Sequence, residues 1–186
     1  ITWSLVGSEM CIRDSYTTDN YYETIRIATS DNAIDWKIHN KPIFIPQKNW
    51  EGLEVENWGL IKVGDTFYMS YESRGYDKNP ITKYGRSVGI AYSKDLFNWT
   101  RLRDTPILTN NQYCSAFFAN KEFIYHIVPN NTRFKVYKFK DFESHTEESF
   151  IGYLDPVGPQ NKLALDSPEI ITCLLYTSPS PRDSTL

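Results

Sequence analysis

The chain has 186 residues, a formal net charge of −3 and an aromatic content of 15%. A chain of this length can bury a sizeable core as a single domain. The sequence contains no cluster of basic residues, which argues against a nucleic-acid partner, and no apolar run long enough for a membrane span.

The two ends of the chain, residues 1–15 and 173–186, read as phrases without periodicity. Both resemble the translated transposase adapter used in sequencing libraries, because one stretch of DNA can encode both phrases from opposite strands. We therefore expect an adapter-like artefact at each end and a natural segment over residues 16–172, cut at both ends. The alternative is an amphipathic N-terminus and a tail rich in Pro and Ser.

Between these ends, nearly every segment is a short run of β-branched and aromatic residues bounded by turn residues, which predicts strands. No helical period competes, so an all-β chain is predicted. In chain order, the predicted strands cover residues 24–30, 36–38, 58–63, 66–72, 87–93, 99–102, 114–119, 122–128, 134–139 and 149–154.

One phrase occurs twice: Ile-Ala-x-Ser at the end of a strand, followed by Asp and then Trp. The copies begin at Ile27 and Ile90, 63 residues apart, and lead to Trp36 and Trp99. A fixed period indicates copies of one supersecondary unit, and a four-stranded propeller blade with long loops fits this period. We therefore expect both tryptophans to be structural and to pack between blades.

The predicted hairpins also repeat, since Phe67 and Phe123 occupy matching positions 56 residues apart. On this alignment the innermost strands of successive blades begin near Glu56, Gln112 and Asp166. In a propeller such strand starts converge on the central channel, where a site would form. The sequence thus predicts the back of one blade, two nearly complete blades and the first strand of a fourth.

Cysteine and histidine usage predicts no metal site. Cys11 and Cys173 fall in the terminal phrases and leave Cys114 alone, so neither a disulfide framework nor a ligand set is predicted. Localisation stays open, because a signal peptide would precede the natural segment, although a secreted or periplasmic location is compatible with the chain. Three histidines have no metal-binding spacing and are interpreted as incidental: His39, His126 and His145.

Three segments carry a resemblance to a known superfamily. Residues 55–71 resemble the inner hairpin of the five-bladed β-propeller glycosidases, which include glycoside hydrolase families 43, 32, 68 and 130. Residues 93–99 are similar to the Ser-x-Asp-Leu-x-x-Trp phrase that closes their blades. Residues 166–170 resemble the segment, usually written Glu-x-Pro, that carries the family 43 general acid. The resemblance implies a partial five-bladed propeller with about three blades present.

This resemblance implies a glycoside hydrolase that cleaves poly- or oligosaccharides with a carboxylate pair. One carboxylic acid protonates the leaving oxygen, and a second carboxylate activates water or attacks the sugar. Asp166 and Glu56 are the predicted pair, because both begin inner strands. The alternatives are that Glu56 is a hydrogen-bonding wall residue, that Asp166 caps a turn, and that Glu169 is the acid.

The chain departs from the superfamily pattern at three places. Asp166 stands where Glu is usual, and Asn57-Trp58 or Tyr113-Cys114 stands where Asp-Pro is usual. The base or nucleophile Asp of the first blade has no counterpart. We therefore expect the fragment alone to be inactive, and a non-catalytic glycan-binding propeller is an alternative function.

A carbohydrate is the expected partner. Glu72 and Arg74 are further candidates for gripping hydroxyls or an acidic sugar, although such residues more often form surface ion pairs. No organic cofactor is expected, and the resemblance alone allows a structural calcium ion. A six-bladed sialidase-like propeller is a further alternative, because the repeated phrase resembles a degenerate Asp-box. The predicted substrate-binding residues are Trp58, Asn57, Trp50, Tyr113 and Arg86.

Overall fold

The computed structural model confirms the predicted all-β architecture. The residues it describes contain twelve strands and three short 3-10 turns. None of the described segments is a helix long and apolar enough to cross a membrane. The structure describes residues 2–6, 9–13, 24–30, 32, 34–74, 86–109, 115–130 and 133–155, with the backbone alone at 2–6, 9–13, 57, 58 and 74.

The strands form three four-stranded antiparallel sheets, and within each sheet the strands follow one another in chain order. We call these sheets the first, second and third blades. The first contains β1 (Thr2–Val6), β2 (Glu9–Arg13), β3 (Ile25–Thr29) and β4 (Lys37–Phe44). The second contains β5 (Glu56–Val63), β6 (Thr66–Arg74), β7 (Arg86–Ser93) and β8 (Thr100–Arg101). The third contains β9 (Ala116–Ala119), β10 (Ile124–Asn130), β11 (Arg133–Phe139) and β12 (Phe150–Leu154).

The first blade differs from the prediction, which gave it only its two back strands. The structure completes it with β1 and β2, which pair antiparallel from Thr2 opposite Arg13 to Val6 opposite Glu9. This pairing was not predicted, although Gly7-Ser8, which separates the two strands in the sequence, is a two-residue hairpin signal. The division of the chain at residue 16 stays a prediction.

The innermost strands lie side by side, with β5 in contact with β1 on one side and β9 on the other. This is the radial order of a propeller, and the chain has the fold of a partial five-bladed β-propeller. The predicted fourth inner strand, which would begin near Asp166, lies outside the described residues.

The hydrophobic core is divided between the two contacts that neighbouring blades make. The first interface, between the first and second blades, buries Ile25, Phe44, Trp50, Val55, Met69, Tyr71 and Ala91. The second interface, between the second and third blades, buries Val88, Ile90, Ile107, Leu108, Phe117, Ile124, Val128, Tyr137, Phe139 and Phe142. Blade-to-blade packing therefore supplies the buried apolar surface that a single twisted sheet cannot.

The repeated phrase forms the turn before the last strand of a blade. In the second blade, Asp95 Oδ1 accepts hydrogen bonds from two backbone N–H groups at 2.9 and 2.7 Å, and Asn98 donates to Oδ2 at 2.7 Å. These bonds hold the pKa of Asp95 well below its usual range. The first blade uses the same turn with the residue types exchanged: Asn32 accepts the backbone bonds and donates to Asp35 at 2.8 Å.

A third copy of this turn, which the sequence analysis missed, lies in the third blade. Asp141 Oδ1 accepts a hydrogen bond from the backbone N–H of Ser144 at 2.8 Å. Four residues after the Asp, where the second blade has Trp99, the third blade has His145. Trp99 packs against the core of the first interface, as predicted, and its indole N–H donates to the Leu96 carbonyl at 2.7 Å.

Candidate glycoside-binding site

Polar residues collect at one end of the second blade, where β5 begins, β6 ends and β7 begins. Glu56 of β5 lies directly opposite Glu72 of β6, and Arg74 of β6 lies opposite Arg86 of β7. Residues directly opposite each other in an antiparallel sheet share a face, so two carboxylates face the same side. The prediction that Glu56 begins an inner strand is confirmed.

Glu72 and Arg86 form an ion pair at this end of the blade. Nη1 of Arg86 donates to Oε1 of Glu72 at 2.6 Å. The ion pair offered as an alternative therefore forms, but it is not on the surface, since the side chain of Glu72 is 2% exposed and that of Arg86 is 25% exposed. Two carboxylates placed opposite each other on a sheet repel when both are ionised, and the guanidinium of Arg86 offsets that repulsion.

A β-bulge interrupts the pairing of β5 and β6 immediately after Glu56. Asn57 pairs with Tyr71 and Gly59 pairs with Ser70, so one extra residue, Trp58, lies between the two pairs. Bulges of this kind re-aim neighbouring side chains and occur next to active sites. The side chains of Asn57 and Trp58 lie outside the described part of the structure, so their predicted contact with a sugar is not tested.

Gly59 brings the second and third blades close together beside the bulge. A Cβ atom at this position would lie 2.7 Å from the carbonyl oxygen of Ser115 and 2.7 Å from Oγ of Ser70. Only glycine allows this approach without a shift of the backbone. The beginning of β9 is therefore held against β5 three residues after Glu56.

The loop before β5 is held by a buried ion pair that the sequence analysis did not identify. Glu51 is fully buried, and its carboxylate accepts hydrogen bonds from Arg101 Nε at 2.6 Å and Arg101 Nη2 at 2.7 Å. Tyr71 also donates to Oε1 at 2.9 Å. Burial, together with this carboxylate, raises the pKa of Tyr71 well above its usual value. No local spacing marks the pair, because Glu51 and Arg101 lie 50 residues apart.

Trp50 is a packing residue in this structure. Its side chain is 5% exposed in the core of the first interface, and its ring stacks on Tyr71 with centroids 5.7 Å apart. The indole N–H donates to the backbone carbonyl of Asp104 at 2.9 Å. Trp50 therefore has no exposed face for a sugar ring, which corrects its predicted place in the substrate-binding set.

The other predicted site residues lie outside the described residues. These are Asp166, Glu169 and Tyr113, together with Cys114. Among the residues whose side chains are described, no group of three or more His, Cys, Asp or Glu is placed to hold a metal ion. The calcium ion that the resemblance allows stays a prediction.

A family model agrees with this architecture. The model of glycoside hydrolase family 130, described as beta-1,4-mannooligosaccharide phosphorylase, matches residues 13–146. The chain belongs to this family. The match thus narrows the resemblance to one of the four families named above and replaces the sialidase-like alternative. The family is one of glycoside-processing enzymes.

Individual relatives agree with the family. The chain is 34% identical over 79 residues to a 1,2-beta-oligomannan phosphorylase of Thermoanaerobacter sp. strain X514, covering 40% of this chain and 26% of the relative. The structure is similar to a beta-1,2-mannobiose phosphorylase of Listeria innocua, with a TM-score of 0.58 and 17% identity, over 73% of this chain and 37% of that one.

A second structural relative shows that the fold is shared with another of the families named above. An alpha-L-arabinofuranosidase of Clostridium thermocellum gives a TM-score of 0.59 at 15% identity, over 85% of this chain and 55% of that one. At such identities the likeness shows the fold alone. The chain spans about a quarter of the length of the curated relative and about a third to a half of these two structures.

Proposed function

We propose that the full-length protein is a glycoside phosphorylase that cleaves β-linked mannosides with inorganic phosphate. The glycosidic C–O bond of the terminal mannose breaks, and a bond forms between its anomeric carbon and a phosphate oxygen. The leaving oxygen takes up a proton, so the products are mannose 1-phosphate and a shortened sugar. The match of the family 130 model over residues 13–146 is the observation that carries this proposal.

Phosphorolysis also suits the carboxylates at hand better than hydrolysis does. Hydrolysis requires a second carboxylate to activate water or attack the sugar. Phosphate is already an anionic nucleophile at neutral pH, so one acid is sufficient. Glu56, partly buried at the start of an inner strand, is the proposed acid. Asp166 is the alternative acid, and Glu72 and Arg86 are proposed to fix the wall beside Glu56.

A non-catalytic glycan-binding propeller is the second candidate, and one sequence observation favours it. Asn57-Trp58 or Tyr113-Cys114 stands where the superfamily usually has Asp-Pro, so neither position has the carboxylate that is usual there. In this function Trp58 would stack on the apolar face of a sugar ring. A third possibility, hydrolysis by the predicted pair of Asp166 and Glu56, requires no phosphate.

The test incubates the full-length protein with β-1,2- and β-1,4-mannobiose in the presence and absence of inorganic phosphate. Anion-exchange chromatography measures mannose 1-phosphate and free mannose. We expect phosphate-dependent mannose 1-phosphate, and Glu56→Gln should lower its rate by roughly 10²–10⁴-fold. Glu122→Gln is the matched control, because Glu122 is an exposed carboxylate in the β9–β10 turn.

Three results would contradict the proposal. Free mannose at a rate independent of phosphate would identify a hydrolase. Glycan binding by calorimetry without turnover would identify a binding propeller, and a gain of turnover in Asn57→Asp would then attribute the loss to that position. Full activity of Glu56→Gln would exclude Glu56 as the acid.

A further inference from the structure

Four polar side chains inside the second interface form one hydrogen-bonded chain. Ser115 Oγ lies 2.9 Å from Ser70 Oγ and 2.6 Å from His126 Nε2, and His126 Nδ1 lies 2.9 Å from His145 Nε2. All four residues are at most 2% exposed. This hydrogen-bonded chain runs from β6 of the second blade, through the start of β9 and through β10, to the blade-closing turn of the third blade.

The order of donors along this hydrogen-bonded chain requires an uncharged imidazole at His126. Ser115 donates to Ser70, so its oxygen accepts the proton on Nε2 of His126. Nδ1 of His126 then has no proton and accepts from Nε2 of His145. If both rings were protonated, two N–H groups would face each other at 2.9 Å and this bond would be lost.

The surroundings of the two rings keep them neutral. Phe117 lies 4.5 Å from His126 and Phe139 stacks on His145 at 4.2 Å, measured between ring centroids. Burial lowers the pKa of His126 well below its usual value, with a further contribution from the neighbouring ring. Burial also lowers the pKa of His145, to about 3.

The charged and titratable groups around the rings come from three elements. Arg103, in the segment after β8, adds to the lowering of the pKa of His145. Tyr137 of β11 lies 6.2 Å from His126 and 5.4 Å from His145 between ring centroids. Glu147, in the 3-10 turn before β12, accepts a hydrogen bond from the Tyr137 hydroxyl at 3.3 Å. Of these three groups, Arg103 is a cation and Tyr137 contributes a hydroxyl. The carboxylate of Glu147 accepts a hydrogen bond from that hydroxyl.

The hydrogen-bonded chain of side chains ends at the candidate site. Ser70 is the strand partner of Gly59, and the carbonyl of Ser115 lies where a side chain of Gly59 would be. Both contacts fall immediately after the bulge that follows Glu56. The serines thus set the distance between β5 and β9 at the place where the inner strands of two blades begin.

We propose that Ser70, Ser115, His126 and His145 are positioning residues for the candidate site. Together they form a joint between the second and third blades, and acidification opens this joint. The joint itself rests on the geometry above, and its effect on turnover rests on the proposed function. Its two tests are therefore chosen so that one needs no enzymatic activity.

The first test measures backbone amide hydrogen exchange by mass spectrometry in the full-length protein at pH 7. Ser70→Ala removes one end of the chain with little change in volume, and His126→Gln removes the central ring. We expect exchange to accelerate by about fivefold to tenfold in peptides covering 56–61 and 115–118, since one net hydrogen bond is lost. Peptides of the first blade should not change, and His39→Gln, a histidine in the first blade, is the matched control. Equal acceleration throughout, or no change, would overturn the positioning role.

The second test follows urea unfolding and mannoside turnover between pH 7 and pH 5. Each histidine that is neutral when folded and protonated when unfolded makes the unfolding equilibrium constant rise by up to ~10-fold per pH unit below ~6.5. We expect a steeper rise in wild type than in His126→Gln, and no difference between wild type and His39→Gln. For turnover at pH 7, a folded Ser70→Ala protein should have a kcat reduced by about tenfold.

The outcomes separate the joint from the function. Equal acid slopes in wild type and His126→Gln would overturn the pH sensitivity. A wild-type kcat in folded Ser70→Ala would overturn the effect on catalysis. If wild type has no mannoside activity at all, the proposed function fails, and the exchange and unfolding measurements still decide whether the joint exists.

Discussion

The two blade interfaces use opposite means to satisfy their buried polar groups. In the first interface, the carboxylate of Glu51 and the guanidinium of Arg101 form a charged pair in which two nitrogens of the arginine reach the two oxygens. In the second interface, four uncharged side chains pass hydrogen bonds from one to the next. A propeller blade can therefore satisfy the polar groups buried at its interface with either a charged pair or a neutral hydrogen-bonded chain.

The difference follows from where each polar group enters the interface. Glu51 lies in the loop between blades, and its oxygens also accept from the backbone N–H groups of Gln47 and Lys48 at 2.6 and 3.0 Å. A loop offers many such free donors, so a buried charge can be fully compensated there. His126 lies within a strand, where neighbouring backbone groups are already paired. Neutral side chains that hydrogen-bond to one another therefore have a lower free-energy cost of burial there than a charged pair.

Removing the charge from the first interface should have the largest effect. Glu51→Ala leaves the guanidinium of Arg101, whose side chain is 9% exposed, without its carboxylate. Breaking a buried pair in this way costs ~3–5 kcal/mol of unfolding free energy. Urea unfolding monitored by tryptophan fluorescence measures the loss.

The control for this change is an exposed carboxylate. Glu122→Ala should shift the unfolding free energy by no more than ~0.5 kcal/mol. If Glu51→Ala cost less than ~1 kcal/mol, the buried pair would not be what holds the loop before β5.

Closing the gap between β5 and β9 should have the second largest effect. In Gly59→Ala the new methyl group would meet the Ser115 carbonyl oxygen at 2.7 Å, and a backbone atom cannot rotate away. Overpacking of this kind costs ~1–3 kcal/mol, which thermal unfolding would detect. Gly64→Asn is the matched control: position 64 has a φ of 60° and nothing within 4 Å of an added Cβ. Equal stability of Gly59→Ala and wild type would mean that the blades are not held this closely.

Most of the fold could be predicted because period-2 patterning and turn residues are local signals. Strands β6, β7 and β11 were predicted to within two residues at each end, since each is bounded by residues that favour turns. The third blade-closing turn was missed because His145 replaces the tryptophan that marks the other copies. The pairing of β1 with β2 was not predicted, because both strands lie in the terminal phrase that was expected to be an adapter-like artefact.

The site could be predicted only in outline. The start of β5 at Glu56 could be predicted, because the start of an inner strand follows from the alignment of the repeats. The burial of Trp50 and of Glu72 depends on which residues of a neighbouring strand or blade lie against them, and no local spacing records that. The histidines were interpreted as incidental for the same reason: His126 and His145 lie 19 residues apart and meet only in three dimensions.

Restoring the repeat tryptophan tests whether the second interface depends on its neutral chain. His145→Trp gives the third blade the tryptophan that closes the other two, and similarity to the repeat alone would predict a gain in stability. The structure predicts a loss of ~1–2 kcal/mol, because the larger ring overfills a fully buried site and shifts the N–H donor that faces Nδ1 of His126. Trp99→Phe is the companion variant, and a rise in melting temperature for His145→Trp would contradict the neutral-chain account.

The smallest effect should come from an ion pair that spans the outer rim of the first interface. Lys48 lies 2.6 Å from Asp104, a distance as short as that between Arg101 and Glu51, but the side chain of Asp104 is 83% exposed. Solvent screens such a pair, so Lys48→Ala should change the unfolding free energy by no more than ~0.5 kcal/mol, and added salt should remove even that difference. Urea unfolding at low and high ionic strength measures both. A loss comparable to that of Glu51→Ala would mean that proximity, rather than burial and the number of donors, determines what an ion pair contributes between these blades.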